Sequence, residues 1–377
     1  MVVTNACAPD PRVMRHAAWM HEAGYDVTVH AFDRDQTASM SENHNGVRIM
    51  RYHLGNTPYG GTLRTYQGIR RFQRHVVRTL LNDPPALVYC HDADTLRVGV
   101  EIKTACGVPF VFDMHDLQHT WVRFAAPNST VRKMVAQRMK NRMLKRCQSA
   151  SAIITSSGKT TTSTHPGFAE WLNHHGQHAS VVENRPSPPF GPEKTKPTDQ
   201  WTVGFIGRVR DRQAIDALVA AVRSIPPHQR PSLRIAGDGV AAAGVRRLLM
   251  DLVEAGELEA EVSGAYTQQE LPELMMSIDV MFAMYAPQRG NILQGALPVK
   301  MFDAAAQGVP SVVNDGCLMG DVAREEGLGL TATWGDTSSI ANALLGAKDE
   351  TVNLDITGER EHQRWLDAMR PVLDTLQ

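Results

Sequence analysis

Short runs of apolar residues alternate with amphipathic stretches along nearly the whole chain. Residues 2–4, 25–32, 46–54, 86–91, 108–115 and 151–157 are brief and rich in the β-branched and aromatic types that suit a strand. Between them, 14–24, 63–81, 96–107 and 128–147 repeat apolar positions three and four apart, the period of a helix with one buried face. The alternation halts at RPSPPFGPEKTKPTDQ (185–200), whose prolines and charges read as extended linker. It resumes with strands expected at 201–207, 232–239, 261–265, 279–285 and 310–314, and helices at 214–225, 242–256 and 269–278. Such order predicts α/β architecture: parallel sheets with helices on both faces and ligand sites beyond the carboxyl ends of the strands.

One more helix is expected at ALPVKMFDAAAQGVP (296–310), framed by proline near its start and glycine near its end. Helical spacing puts Val299, Phe302 and Ala306 on one face and Lys300, Asp303 and Gln307 on the other. Taken alone, the charged pair reads first as a solvated ion pair and second as a ligand clamp.

Composition supports folded domains: 42% of residues are hydrophobic and 21% charged, and 377 residues suffice for two cores. No apolar run has the length of a membrane span and no leader pattern stands at Met1, so a cytoplasmic or membrane-peripheral location is expected. Cys7, Cys90, Cys106, Cys147 and Cys317 are scattered without CxxC spacing, which argues against a disulfide framework or a zinc site. The net charge of −1 hides an asymmetry: residues 1–190 hold 22 Lys/Arg against 14 Asp/Glu, and 191–377 hold 17 against 26. The basic half suits anionic acceptors or an anionic membrane surface, and no recognition motif accompanies it that would point to nucleic acid. Its most basic segment, NSTVRKMVAQRMKNRMLKRC, carries Arg132, Lys133, Arg138, Lys140, Arg142, Lys145 and Arg146 beside a Val135/Met139/Met143/Cys147 stripe. That pattern reads first as a helix packed on the sheet with solvated charges, and second as a membrane-surface helix.

Candidate chemistry clusters where strands end. Gly207 follows a strand, and Arg208, Arg210 and Arg212 precede a helix, an arrangement suited to phosphate. LRIAGDG places Gly237 in a second strand-end turn. In the first half, DPRVMRH, VYCHDADT and VFDMHDLQHTW bring His91, Asp92, Asp94, Asp113, His115 and Asp116 to strand ends. These side chains suit binding an acceptor hydroxyl, ligating a metal, or bonding loop backbone, and HD pairs lack a recognised ligand spacing. DPRV in place of GxGxxG after the first strand argues against a dehydrogenase.

In the order of these motifs the chain resembles the family 4 glycosyltransferases, retaining enzymes of GT-B fold. The resemblance is carried by DPRVMRHAAWMHEAGYDVTV, HDAD, DMHD, FIGR, LRIAGDG, ELPELMMSIDVMFAMY, LPVKMFDAAAQGVPSVV and GLGLTATWGDTSSIANAL. It implies two Rossmann-like domains facing a cleft: an acceptor-side domain at 1–187, a linker at 188–200 and a donor-binding domain at 201–359. A terminal helix at 360–377, carrying WLDAMRPVLDTL, would return to the first domain. Arg208 and Lys300 would contact the donor diphosphate, and Asp303 would stand where the family has a ribose-binding glutamate. His115 would act at the reaction centre, with His91 a second candidate. Gln213 and Ala214 replace the family's lysine and glycine, and Gly295 replaces the first of two spaced glutamates. The cluster MYAPQRGNILQGALPVK resembles a branch with a PxK motif, in which Tyr285, Asn291 and Lys300 serve the donor and Arg210 or Arg212 supplies the missing charge. The implied activity is transfer from a UDP- or GDP-sugar to a glycan, glycolipid or other hydroxyl acceptor in cell-surface polysaccharide or glycoconjugate biosynthesis, with no metal or cofactor required. The alternatives are a nucleotide-sugar 2-epimerase and a non-catalytic partner subunit, the latter suggested by Gln213, Gly295 and Asp303.

Overall fold

The computed structural model describes every residue except 9, 59–62, 125, 187–199, 290, 353, 356 and 377, so the linker expected at 188–200 lies outside the described residues but for Gln200. Contacts divide the chain into two units, Met1–Ser157 with Phe168–Asn184 and Arg360–Gln377, and Gly158–Gly167 with Arg185–Glu359. The short segment Gly158–Gly167 thus belongs to the second unit although it precedes the expected linker.

The first unit is built on β1 (Val2–Val3), β2 (Thr28–Ala31), β3 (Ser41–His44), β4 (Val47–Arg51), β5 (Val88–His91), β6 (Phe110–Met114), β7 (Ala152–Thr155) and β8 (Ser180–Val181). They form one sheet in the order β3-β4-β2-β1-β5-β6-β7-β8, and its described pairings are parallel except β3 with β4. Strand β3 was not expected. It pairs through Asn45 and Gly46, both at positive φ, the backbone that a tight two-residue hairpin demands. The chain leaves β1 for β2 on one side and reaches β5 on the other, so a crevice opens beyond the carboxyl ends of β1 and β5.

DPRV is explained by the helix it starts. Asp10 accepts from the Val13 amide at 3.2 Å, Pro11 occupies the first turn, and the helix runs Pro11–Glu22, three residues earlier than expected. The terminal helix Glu359–Leu373 packs with this unit: Trp365, Met369 and Val372 are buried with Val29, Ile49 and Val111. The Trp365 indole donates to the Tyr89 hydroxyl at 3.3 Å.

The second unit carries β9 (Thr202–Ile206), β10 (Ser232–Ala236), β11 (Ala260–Ser263), β12 (Val280–Phe282), β13 (Ser311–Asn314) and β14 (Gly329–Ala332) in the order β11-β10-β9-β12-β13-β14, all pairs parallel. Two cores cover its two faces. Ile215, Leu218, Val245 and Leu344 pack on one, and Met301, Phe302, Leu318 and Val322 on the other. The order reverses between β9 and β12, and their carboxyl ends are where a ligand crevice belongs.

Two expectations about helices need correction. The helix in ALPVKMFDAAAQGVP is only Val299–Ala305, with Pro298 as its cap, and Met301, Phe302, Ala304 and Ala305 are buried. Gln307 is buried, whereas Val299, assigned to the buried face, is exposed, because the element sits in a wall and not on a surface. In Thr130–Cys147 the buried positions are Ala136, Met143 and Cys147, while Val135 and Met139 of the expected stripe are exposed.

Trp365 ties the terminal helix to the first unit's core. Trp365→Ala is expected to destabilise that unit by about 3–5 kcal/mol, the usual cost of an aromatic truncated in a core. Urea unfolding followed by far-ultraviolet circular dichroism checks this, and an unchanged midpoint would show the helix to be dispensable.

Candidate functional site

At the carboxyl end of β9 the chain turns through Gly207, and at the end of β10 through Gly237. The two turns lie back to back: the Gly207 amide donates to the Ala236 carbonyl at 2.9 Å and the Val209 amide to the Asp238 carbonyl at 2.8 Å. Gly237 has φ +135°, and a Cβ there would strike the Gly207 carbonyl oxygen, so only glycine lets the turns meet. Arg208 and Asp238 emerge from them as a loose, exposed pair 3.7 Å apart. Arg210 is also exposed.

Lys300 reaches this turn from the start of its helix. Its ammonium is buried, has no hydrogen-bond acceptor, and sits 3.3 Å from the Phe205 ring centroid and 5.1 Å from that of Tyr285. Burial, then the like charge of Arg289, holds its pKa well below the usual lysine range. Asp303 does not relieve it, since no hydrogen bond reaches the ammonium. The expected solvated ion pair is therefore not formed. Asp303 acts elsewhere: burial and the carboxylates of Asp303 and Asp238 push the Tyr266 phenol up to about 12.

Tyr285, three residues beyond β12, is fixed by a reciprocal pair. Its amide donates to Asn314 Oδ1 at 2.8 Å and its carbonyl accepts from Asn314 Nδ2 at 2.9 Å. The Arg289 guanidinium covers its ring at 4.8 Å. Asn291 is buried nearby in sequence, and its carbonyl accepts from the amides of Gln294 and Ala296. Gly295 has φ +103°, and a Cβ there would collide with Gly167 and Pro166. A glutamate has no room at this position, which accounts physically for its replacement. Phe205, Tyr266, Arg289 and Asn314 were not singled out by sequence. Arg289 stood in the quoted MYAPQRGN cluster, but nothing in the pattern said that it would cover Tyr285.

In the first unit the site is organised by Asp113, fully buried on β6. It takes Arg12 Nη2 at 2.6 Å and Nε at 3.0 Å, His91 Nδ1 at 3.1 Å and His115 Nε2 at 2.9 Å. Burial would raise its pKa, but Arg12, His115 and His16 outweigh burial and hold it well below the usual range. Burial likewise opposes a charged His115, yet Asp92 and Asp113 prevail and push it up to about 9. Asp92, 3.5 Å from His115 Nδ1, has φ +65° and is raised by burial to about 7 despite that histidine. His16 is lowered by burial to about 3 and is neutral. The Tyr89 hydroxyl, which accepts from the Trp365 indole N–H, lies 2.9 Å from His16 Nδ1, and that nitrogen is also 3.3 Å from Asp113 Oδ2.

His16, His91 and Asp113 bring three potential metal-ligand atoms within 4.8 Å of one another. Their chemistry fits an internal network better, because Arg12 already neutralises Asp113 and Tyr89 occupies His16 Nδ1. Arg12 and His16 were not singled out by sequence: Arg12 fell before the helix expected at 14–24 and His16 within it, and both lie on the helix with side chains buried towards Asp113.

Residues 8–162 match the family model "Glycosyl transferase 4-like domain" and residues 200–350 match "Glycosyl transferases group 1". No curated protein matches the chain by sequence. Among solved structures, it is similar to sucrose-phosphate synthase from Thermosynechococcus elongatus, with TM-score 0.70, 15% identity, and 99% and 96% of the two chains covered. It is similar to Anabaena Alr3699/HepE in complex with UDP and glucose (0.60, 16%, 100% and 95%). It is also similar to the catalytic domain of starch synthase IV from Arabidopsis thaliana bound to ADP and acarbose (0.64, 10%, 100% and 97%). At such identities the likeness is one of fold.

The raised pKa of His115 has a consequence for stability. Its contribution is complete below about pH 6.5, the unfolded value, and is lost as pH rises through about 9. The stability difference between the wild-type protein and His115→Gln should shrink by on the order of 2 kcal/mol over that interval. Urea midpoints at pH 6.5 and 9.5 measure it, and a difference that stays constant or grows would mean the ring is neutral.

Proposed function

We propose that this chain, a glycosyltransferase enzyme of GT-B fold composed of a glycosyl transferase 4-like domain and a glycosyl transferases group 1 domain, moves a sugar from a nucleoside-diphosphate donor to a hydroxyl of a glycan or lipid-linked acceptor, retaining anomeric configuration. The donor belongs to the second unit. Its diphosphate is assigned to Lys300, with Arg208 and Arg210 at the exposed turn and Gly237 allowing backbone approach. Asp303 takes the ribose hydroxyls, and Tyr285 and Asn291 shape the wall as in a PxK branch of the family. The observation that carries this assignment is the buried Lys300 ammonium without an acceptor, set at the point where strand order reverses. A buried unpaired charge costs several kcal/mol, so the site is stabilised by whatever anion fills it. Structural neighbours solved with UDP, with UDP-glucose and with ADP and acarbose support a nucleotide-sugar donor.

Leaving-group departure places growing negative charge on the diphosphate, and a fixed cation in a dry site stabilises that charge without reorganising. His115 lies in the first unit, which we assign to the acceptor. A ring already cationic at neutral pH is a hydrogen-bond donor and a charge, not a general base. That suits same-face transfer, in which the acceptor proton leaves with the departing phosphate and no carboxylate nucleophile intervenes. The reaction is placed in the cytoplasm, in the assembly of surface polysaccharide or glycoconjugate. Among the described residues no helix is long and apolar enough to cross a membrane.

A panel of UDP-, GDP- and ADP-sugars screened by thermal shift tests the donor assignment, because a ligand that binds only the native state raises its stability. Lys300→Met is expected to be at least as stable as the wild-type protein without ligand, since it removes an unpaired buried charge. It should lose the donor-induced shift, with turnover reduced by roughly 10²–10³. Near-normal turnover in Lys300→Met would remove the diphosphate assignment.

A further inference from the structure

We propose that the acceptor hydroxyl is carried on a lipid phosphate, an apolar chain joined to a phosphate or diphosphate, and that this anchor is held in a first-unit cavity between the helices Leu63–Asn82 and Thr130–Cys147. This deepens the acceptor role assigned above to the first unit and rests on it.

The cavity measures about 200 Å³. Its apolar wall is Tyr66, Ile69, Met139 and Met143, and its cationic side is Arg70, Arg142 and Arg146. The arginines crowd one another: burial, then Arg142, Arg97 and Arg70, lower the Arg146 pKa, with Glu101 opposing. Glu101 is held by Arg97 Nε, while Arg97 Nη1 is buried without a partner. The lining has one acid, Asp94, whose carboxylate takes the Thr4 hydroxyl at 2.6 Å. Four guanidinium groups against these two carboxylates leave an excess of positive charge that a multiply charged phosphate would neutralise with bidentate bonds.

Three polar atoms on the lining also lack partners, one of them Asp94 Oδ1, whose carboxyl pKa burial holds above the usual range. Gln73 is 5% exposed, and its Oε1 is buried without a hydrogen bond; His119 Nδ1 is buried in the same state. Burial lowers His119 to about 4, so its ring is neutral and can accept or donate. Gln73 Oε1 can accept from a hydroxyl next to a phosphate, and His119 Nδ1 can meet such a hydroxyl in either role.

Free phosphate would need only the arginines. The apolar part of the site asks for a chain: Tyr66 and Met139 are 51% and 37% exposed at the mouth, with exposed Leu63 and Val135 one turn before them. Two helices thus present apolar side chains among cations, the pattern that lies on a lipid surface. The position suits transfer as well. Ala93 and Asp94 of the lining share a loop with Asp92, which lies against His115, so a hydroxyl tethered near the phosphate is brought towards that histidine.

The full chain is sedimented with vesicles of phosphatidylcholine alone, with a long-chain polyprenyl phosphate added, and with phosphatidylglycerol at equal charge, each with and without inorganic pyrophosphate. The expected result is binding at least about tenfold tighter to the polyprenyl phosphate vesicles than to either other kind, relieved by pyrophosphate. Arg142→Gln with Arg146→Gln should weaken it about tenfold with an unchanged melting profile, and Met139→Glu, at an exposed position, should do the same through repulsion. Equal binding to both anionic vesicles would overturn the proposal in favour of a general charged face. Pyrophosphate binding without any vesicle preference would overturn it in favour of a soluble phosphate site, and unchanged binding in the variants would remove the cavity. No arm uses the donor, so failure of the Lys300 assignment stays distinguishable from failure here.

Discussion

The second unit is arranged around a buried lysine amine without a hydrogen-bond acceptor. Lys300 is carried into the wall by a short helix, and its ammonium rests on Phe205 with only Arg289 as a charged influence. The aromatic contact offsets on the order of 1 kcal/mol of a desolvation cost several times larger. The surroundings maintain that imbalance. Asn314 clamps Tyr285 by both its backbone groups, and the glycine turns after β9 and β10 interlock where no side chain could fit. Under the proposed function, that imbalance favours an anion such as a departing diphosphate.

The first unit makes the opposite choice. Asp113 is as deeply buried as any charge in the chain, and Arg12, His91 and His115 satisfy it. That carboxylate orders the groups around it: it holds His115 cationic together with Asp92, and through His16 and Tyr89 the network extends to Trp365 of the terminal helix. One unit leaves a buried amine without a partner, the other closes a network whose outermost member is a partly exposed imidazolium.

The alternation of strands and helices was legible because parallel strands buried on both faces read as continuous apolar runs. Tyr89 to His91 and Phe110 to Met114 are of this kind. The hairpin strand β3 was not, since SENH is polar and fully exposed, and only Asn45-Gly46 marked it. Helix ends were misjudged where capping prevailed over periodicity, as at Asp10-Pro11 and Pro298. Motif order singled out Lys300, Tyr285 and Asp303 as donor-side candidates, but spacing put Lys300 on a solvated face when its ammonium is enclosed. Helical period gives direction within an element and says nothing about what stands opposite. Arg12, His16 and Arg289 were invisible for the same reason: each acts through a partner far away in the chain or folded over it.

The most direct test of the central claim is calorimetry of donor binding in buffers of different ionisation enthalpy. An ammonium whose pKa is depressed in the empty site and restored by a diphosphate must take up a proton on binding, at pH values between its depressed pKa and the ordinary lysine range. Wild-type protein should therefore show net proton uptake within that interval, absent in Lys300→Met. Binding with no buffer-dependent heat in the wild-type protein, or with identical uptake in both, would contradict the account.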